Sequence, residues 1–111
     1  MAHVSGQFDG GTTRAKLSTI LSYTRQDFFE VEVVADQDNA GEVYLGPVTV
    51  TNAGVDAVMK LKGGNYKRFG PYSFGAFRMN LENLYVVGSA ASQVAYVNAI
   101  TADGRRIPLQ M

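Results

Sequence analysis

Turn-forming residues interrupt this chain at short intervals, which leaves little room for long helices. Clusters rich in Gly, Ser, Asn, Asp and Pro occur at residues 36–41, 46–47, 52–54, 63–65, 70–71, 88–92 and 102–104. These residue types adopt the backbone conformations that tight turns require. Short segments separated by turns about every ten residues are typical of all-β sandwiches and jelly rolls. The sequence therefore predicts an all-β, jelly-roll-like β-sandwich.

The clearest strand pattern lies at residues 29–33, where apolar residues alternate with Glu30 and Glu32. This alternation predicts a strand with one buried face and one face in water. Residues 14–22 have apolar spacings of three and four, which fit a short helix or a strand equally well. Further strands are predicted at residues 42–51, 57–61, 66–69, 72–77, 84–87, 94–100 and 107–109.

A chain of 111 residues is long enough for one domain with its own core. The first 13 residues contain three glycines and little apolar content, which predicts a flexible N-terminal arm. Residues 14–111 are predicted to form a single β-sandwich domain, because the sequence shows no internal repeat and no linker.

Composition argues against several classes of function. The formal net charge is 0, so the chain lacks the positive field that non-specific nucleic-acid binding needs, and we expect no nucleic-acid partner. It has no cysteine, which excludes disulfides, thiolate zinc sites and cysteine nucleophiles. We expect no membrane span, because no run approaches 18 apolar residues, and the N-terminus does not resemble a secretory signal.

No group of residues suggests catalysis. The only histidine is His3, which is expected in the arm, where nothing would orient it as a general base. Glu30 and Glu32 should share one strand face about 6–7 Å apart, a separation near that of paired glycosidase carboxylates. A solvated strand face explains them better, because catalytic carboxylate pairs come from different strands. We therefore expect no catalytic residue and no enzyme.

Two short motifs resemble ligand sites but lack essential residues. Residues 36–41 (DQDNAG) begin like a calcium loop, but Ala40 and Pro47 occupy positions that require oxygen ligands. An Asx-rich turn is the better interpretation. Gly63 and Gly64 precede a lysine without the spacing of a phosphate-binding loop and are also predicted to form a turn. No metal or cofactor is expected.

An aromatic and basic segment extends from residue 66 to residue 78. Aromatic and cationic side chains are interleaved in this segment. The aromatic ones include Tyr66, Phe69, Tyr72 and Phe74, and the cationic ones are Lys67, Arg68 and Arg78. Such a segment can stack on bases or sugar rings. It can equally form core packing or a contact between subunits, and we favour this second interpretation.

Charge is also distributed unevenly. Six acidic and no basic residues lie between Asp27 and Glu42, whereas five basic and no acidic residues lie between Lys60 and Arg78. If the two segments lie on different edges, each could contact the opposite segment of a neighbouring copy in a ring such as a trimer. If they are adjacent in one domain, they pair internally. The sequence leaves both arrangements open.

An ordered series of motifs resembles small structural proteins of tailed bacteriophages, notably head decoration (cement) and fibre-associated domains. The series comprises residues 39–46 (NAGEVYLG), Val48, residues 52–54 (NAG), residues 61–64 (LKGG) and residues 80–91 (NLENLYVVGSAA), followed by a β run to Ile100. The similarity covers about residues 28–100. The chain differs from the family at Lys62, where proline is usual, and in the added Gly70–Pro71 segment.

The resemblance implies a jelly-roll-like domain, often trimeric, that binds the assembled capsid surface and stabilises it. The implied partners are the major capsid protein and other copies of the chain. The implied location is the virion surface, after assembly in the cytoplasm of a bacterial host. The predicted contacts with the capsid or between subunits are Val4, Phe8, Tyr66, Lys67, Arg68, Phe69, Tyr72, Phe74 and Arg78.

Other functions remain open from the sequence. A phage tail or fibre component is one alternative. A carbohydrate-binding module is another, and it would require Tyr66, Tyr72 and Phe74 to present exposed, coplanar rings. A glycosidase-like enzyme is the least favoured, because the chain has no convincing pair of carboxylates.

Overall fold

The computed structural model describes residues 2–22, 28–70 and 81–101. The strands are β1 (Ala2–Phe8), β2 (Ala15–Lys16), β3 (Phe28–Ala35), β4 (Glu42–Gly46), β5 (Met59–Lys62), β6 (Tyr66–Phe69), β7 (Tyr85–Gly88) and β8 (Ala95–Thr101). One short helix, α1 (Leu17–Leu21), follows β2, and a single 3-10 turn (Leu81–Asn83) precedes β7.

The strands form two four-stranded antiparallel sheets. The order is β1-β8-β3-β6 in the first sheet and β2-β7-β4-β5 in the second. The pairing is nested along the sequence, because β1 pairs with β8, β2 with β7, β3 with β6 and β4 with β5. A two-stranded ribbon folded over in this way is a jelly roll. The predicted all-β sandwich is thus confirmed.

The core lies between the two sheets and follows the alternation of the strands. Val31 and Val33 of β3 are fully buried, as are Val43 and Leu45 of β4 on the opposite sheet. Full burial of one such side chain stabilises the fold by about 1.5–3 kcal/mol. The glutamates between the β3 valines stay outside, as the alternating pattern predicted.

Residues 14–22, for which the sequence allowed a helix or a strand, contain both. Ala15 and Lys16 pair with β7, and the chain then turns into α1. Leu17 and Leu21 are buried, so spacing of four residues places both on the face of α1 that packs into the core. The helix ends at Ser22, which has a left-handed backbone with φ 53°.

The prediction of a flexible arm at residues 1–13 is wrong for Ala2–Phe8. These residues form β1 and pair with β8 along its whole length, from Ala2 with Thr101 to Phe8 with Ala95. Phe8 is buried in the core and Val4 packs against it. The glycine content misled the prediction, because Gly6 does not loosen the strand but allows α1 to approach it.

The sequence predicts a β segment at residues 42–51 that Gly46 and Pro47 interrupt, and the structure ends β4 at this interruption. The strand ends at Gly46, and residues 47–58 form a loop that folds back over the outer face of the second sheet. We call this segment the valine loop. Val50 is fully buried there against Tyr44 and Val87, and the Arg14 side chain donates hydrogen bonds to the carbonyls of Val48 and Val50. The loop is therefore a packed layer.

The predicted strands at 72–77 and 107–109 lie outside the described residues.

Gly6 provides a test of the packing between β1 and α1. A Cβ atom at this position would meet the backbone carbonyl of Ile20, which cannot move aside as a flexible side chain can. We expect Gly6→Ala to lower the free energy of unfolding by about 1–3 kcal/mol, the usual cost of overpacking. Gln7→Ala, on the exposed side of the same strand, is the matched control. Equal stability of the two variants in urea denaturation would contradict this packing.

Candidate functional site

The outer face of the first sheet carries most of the exposed functional groups that the sequence singled out. It is formed by strand positions that alternate with the core residues of β3, β6 and β8. We call this surface the acidic face, and its defining residues are Glu30, Glu32, Tyr66, Arg68, Tyr96 and Ile100.

Strand β6 presents three consecutive exposed side chains, Tyr66, Lys67 and Arg68. The Arg68 guanidinium lies 5.7 Å from the centre of the Tyr66 ring, within the range of a cation–π contact. It also donates a hydrogen bond of 2.8 Å from Nε to Glu32 Oε2 on β3. This bond and the carboxylate charge raise the pKa of Arg68. The pair orients Arg68 across the strands, whereas Lys67 extends into solvent.

The structure divides the predicted contact residues into three groups. Tyr66, Lys67 and Arg68 are exposed together on β6, as a contact surface requires. Phe8 and Phe69 are buried and Val4 is half-buried against the core. The contact prediction is wrong for these three, because the inward positions of β1 and β6 place them between the sheets. The remaining predicted residues lie outside the described part of the chain: Tyr72, Phe74 and Arg78.

Of the two arrangements proposed for the charged segments, the structure shows the internal pairing for one acidic and one basic strand. The acidic strand β3 pairs with the basic strand β6, so Glu32 and Arg68 form an ion pair within one domain. Lys60 and Lys62 lie on β5 in the other sheet, where the burial pattern turns both outward. These lysines are thus separated from the carboxylates of the acidic face.

His3 joins the acidic face, which the sequence analysis did not predict. It lies on β1 opposite Ile100 of β8. Together with Glu30, Glu32 and Arg68, it lines an open depression of about 280 Å³. The only sequence signal for a strand here was that Val4, Gly6 and Phe8 occupy alternate positions. The glycine and the short length of the segment obscured this pattern. In this depression Glu32 is paired with Arg68, whereas the side chain of Glu30 is more exposed.

The turn at residues 36–41 is held by side-chain hydrogen bonds, in agreement with an Asx-rich turn. Asp36 Oδ1 accepts a bond of 2.8 Å from the Asp38 backbone N–H, and Asp36 Oδ2 accepts one of 2.6 Å from the Tyr96 hydroxyl. The Asn39 side chain bonds both backbone groups of Val94, at 2.8 and 2.9 Å. Within residues 2–22, 28–70 and 81–101, no group of three or more His, Cys, Asp or Glu residues could hold a metal ion.

Tyr66 meets one condition of the carbohydrate-binding alternative, because its side chain is 60% exposed. The two rings that would complete a sugar platform, Tyr72 and Phe74, lie outside the described residues. No helix in the described part of the chain is long and apolar enough to cross a membrane.

The bond between Asp36 and Tyr96 predicts a defined pH dependence of stability. The Tyr96 hydrogen bond lowers the pKa of Asp36 below 3.8, and the same bond raises the pKa of Tyr96 above 10.0. The carboxylate contribution is therefore lost as the pH falls below about 4, and the phenol contribution is lost as the pH rises above about 10.

We expect the difference in Tm between the wild type and Tyr96→Phe to be largest between these limits and to shrink outside them. Thermal unfolding from pH 2.5 to 11 measures this difference. Asp38→Asn is the control, because it changes a neighbouring charge and keeps the bond from Tyr96. A difference in Tm between the wild type and Tyr96→Phe that is independent of pH would contradict the role of this pair.

Comparison with known proteins supports the fold. No known protein family matches the chain, and no curated protein sequence does. Among solved structures, a protein of Bacillus endospore appendages, described as a family of disulfide-linked pili, is similar with a TM-score of 0.52 and 18% identity. The match covers 90% of this chain and 85% of that one. At this identity the similarity shows the fold alone.

The tobacco streak virus coat protein is more distant. Its dimer structure has a TM-score of 0.47 and 14% identity over 98% of this chain and 86% of that one. A second crystal form has a TM-score of 0.42 and 14% identity over 96% and 90% of the two chains. These two TM-scores are too low to carry an argument. The comparisons therefore provide the similarity in fold to the endospore appendage protein.

Proposed function

We propose that this protein is a structural component of a virion, of the capsid decoration type, which binds the assembled phage capsid and stabilises it. The observation that carries the proposal is strand β6. Tyr66 and Arg68 form an exposed cation–π pair on the outer face of this edge strand, and Lys67 is exposed on its other side, opposite Val33. Exposed tyrosine and arginine are the residue types that most often dominate protein–protein contacts.

Such a function requires binding and no chemical step. A protein that binds the assembled shell but not the dissociated subunits adds its binding free energy to the stability of the particle. The partner is the major capsid protein, and assembly takes place on the virion surface in the bacterial host cytoplasm. The motif series at residues 39–46 and 80–91 supports a structural protein of a tailed phage, a class that also includes fibre-associated domains.

The similarity to an appendage protein supports a role in assembly more generally. That protein is described as part of disulfide-linked pili. This chain has no cysteine, so its own assembly would depend on non-covalent contacts. Apolar and charged side chains at the surface must then supply the binding energy, including any contact in a homotrimer.

Shell binding can be tested with empty capsids made from the major capsid protein of the genome that encodes this chain. We expect the wild type to co-sediment with the capsids and Lys67→Glu to bind about tenfold more weakly, a loss of about 1.4 kcal/mol. The reversed charge would face the surface that Lys67 contacts. Val55→Ser, on the valine loop, is the control and should bind like the wild type.

Absence of wild-type binding to capsids would overturn the decoration proposal. Binding that Lys67→Glu leaves unchanged would overturn the contact assigned to β6. A glycan array run in parallel tests the carbohydrate alternative, and saturable binding that is lost in Tyr66→Ser would favour it.

A further inference from the structure

Exposed large apolar side chains lie on both outer sides of the sandwich. Among the described residues, three belong to the acidic face and three to the valine loop. They are Tyr66, Tyr96 and Ile100 on the first side and Val48, Val55 and Val58 on the second. Single exposed apolar residues are common, but two groups on opposite sides of one small domain suggest two contact surfaces.

The acidic face combines an apolar row with negative charge. Tyr66 of β6 and Tyr96 of β8 flank Val34 of β3 in the same register, so the three side chains form a continuous row across three strands. Ile100 lies four residues after Tyr96 on the same face of β8, opposite the exposed Glu30 of β3. Arg68 forms its ion pair with Glu32 and also interacts electrostatically with Glu30, so the two carboxylates together outnumber the one guanidinium in this part of the face.

The opposite side combines exposed valines with positive charge. Val48, Val55 and Val58 are between 51% and 56% exposed, although the loop that carries them is packed onto the second sheet through Val50. Lys60 and Lys62 project from the outward face of β5 beside this loop, and Arg14 adds a third cation. These three cations outnumber the two carboxylates on the same side, which are Asp56 of the loop and Glu42 opposite Lys62. The Lys60 Nζ atom lies 5.9 Å from the centre of the Tyr44 ring, next to Gly54 of the loop.

The two sides are complementary in charge and similar in apolar content. A contact between two acidic faces would bring the Glu30 side chains of both copies together. A contact between two valine loops would likewise bring together the β5 lysines, Lys60 and Lys62, of both copies. Both arrangements are opposed by repulsion, whereas the mixed contact pairs carboxylates with ammonium groups. A net charge of 0 means that whole copies do not repel one another at long range.

We propose that the acidic face of one copy binds the valine loop and the β5 lysines of the next copy. This inference rests on the structural role proposed above and names a second copy of the chain as the partner. Because the two surfaces differ and lie on opposite sides, the contact is heterologous and a bound pair of copies leaves one surface of each kind free. Repetition then produces a closed ring or an open filament, depending on the rotation between copies.

Two double variants test the contact from either side. The face variant, Glu30→Gln with Ile100→Ser, removes one charge and one apolar group of the acidic face. The loop variant, Lys62→Gln with Val55→Ser, does the same on the other side. Sedimentation velocity over a range of concentrations should show assembly of the wild type that weakens with salt. Each variant alone should require at least about tenfold higher concentration to assemble.

Mixing the two variants distinguishes a heterologous contact from every symmetric one. Each variant retains one intact surface, and the two intact surfaces are complementary. An equimolar mixture should therefore form a dimer with the mass of two chains and nothing larger. This result also shows that both variants are folded. The control is Asp9→Asn with Lys16→Gln, which removes one charge of each sign outside both surfaces and should assemble like the wild type.

The proposal is overturned if the wild type stays monomeric at all concentrations, or if either double variant assembles as well as the wild type. It is equally overturned if the mixture stays monomeric while both variants keep the thermal stability of the wild type. None of these measurements uses a capsid. Failure here would thus leave shell binding through Lys67 standing, and failure of shell binding would leave this contact between copies standing.

Discussion

The pairing of β3 with β8 is the interaction on which the rest of the structure depends. It joins Phe28–Ala35 to Ala95–Thr101 at the centre of the first sheet, and it thereby places β1 on one side and β6 on the other. Buried valines on the inner positions of both strands fix the register, since a slip of one residue would turn the glutamates of β3 into the core. The acidic face is a direct consequence of this register.

Much of the architecture could be predicted because strand alternation and turn chemistry are local signals. Three features lie where local residue types predict them: the outward glutamates of residues 29–33, the Asx turn at residues 36–41 and the glycine turn after β5. The partners of each strand could not be predicted in the same way. Pairing depends on contacts between distant segments, and neither Gly6 nor the two residues of β2 reveal their partners in sequence.

The candidate contact surface shows the same division between local and distant information. The sequence identified β6 as aromatic and basic, but it could not tell which side chains face the core. The register with β3 decides this, since Phe69 lies opposite the buried Val31 and Arg68 lies opposite Glu32. Residues 47–51 of the valine loop were included in a β segment because their β-branched residues are typical of strands. The turn at residues 52–54 could be predicted from residue type, but the burial of Val50 on the outer side of a sheet could not.

The nested pairing has a consequence for the order in which this chain can fold. The partner of Ala2 is Thr101, so β1 cannot pair until β8, which follows all the other described strands in the sequence, has been synthesised. Of all the pairings, only β4 with β5 and the nearby β3 with β6 can be completed early. Synthesis proceeds at about 5–20 residues per second, and strands with such distant partners close slowly even afterwards. During that interval the apolar side chains of β1, including Phe8, remain exposed on the nascent chain.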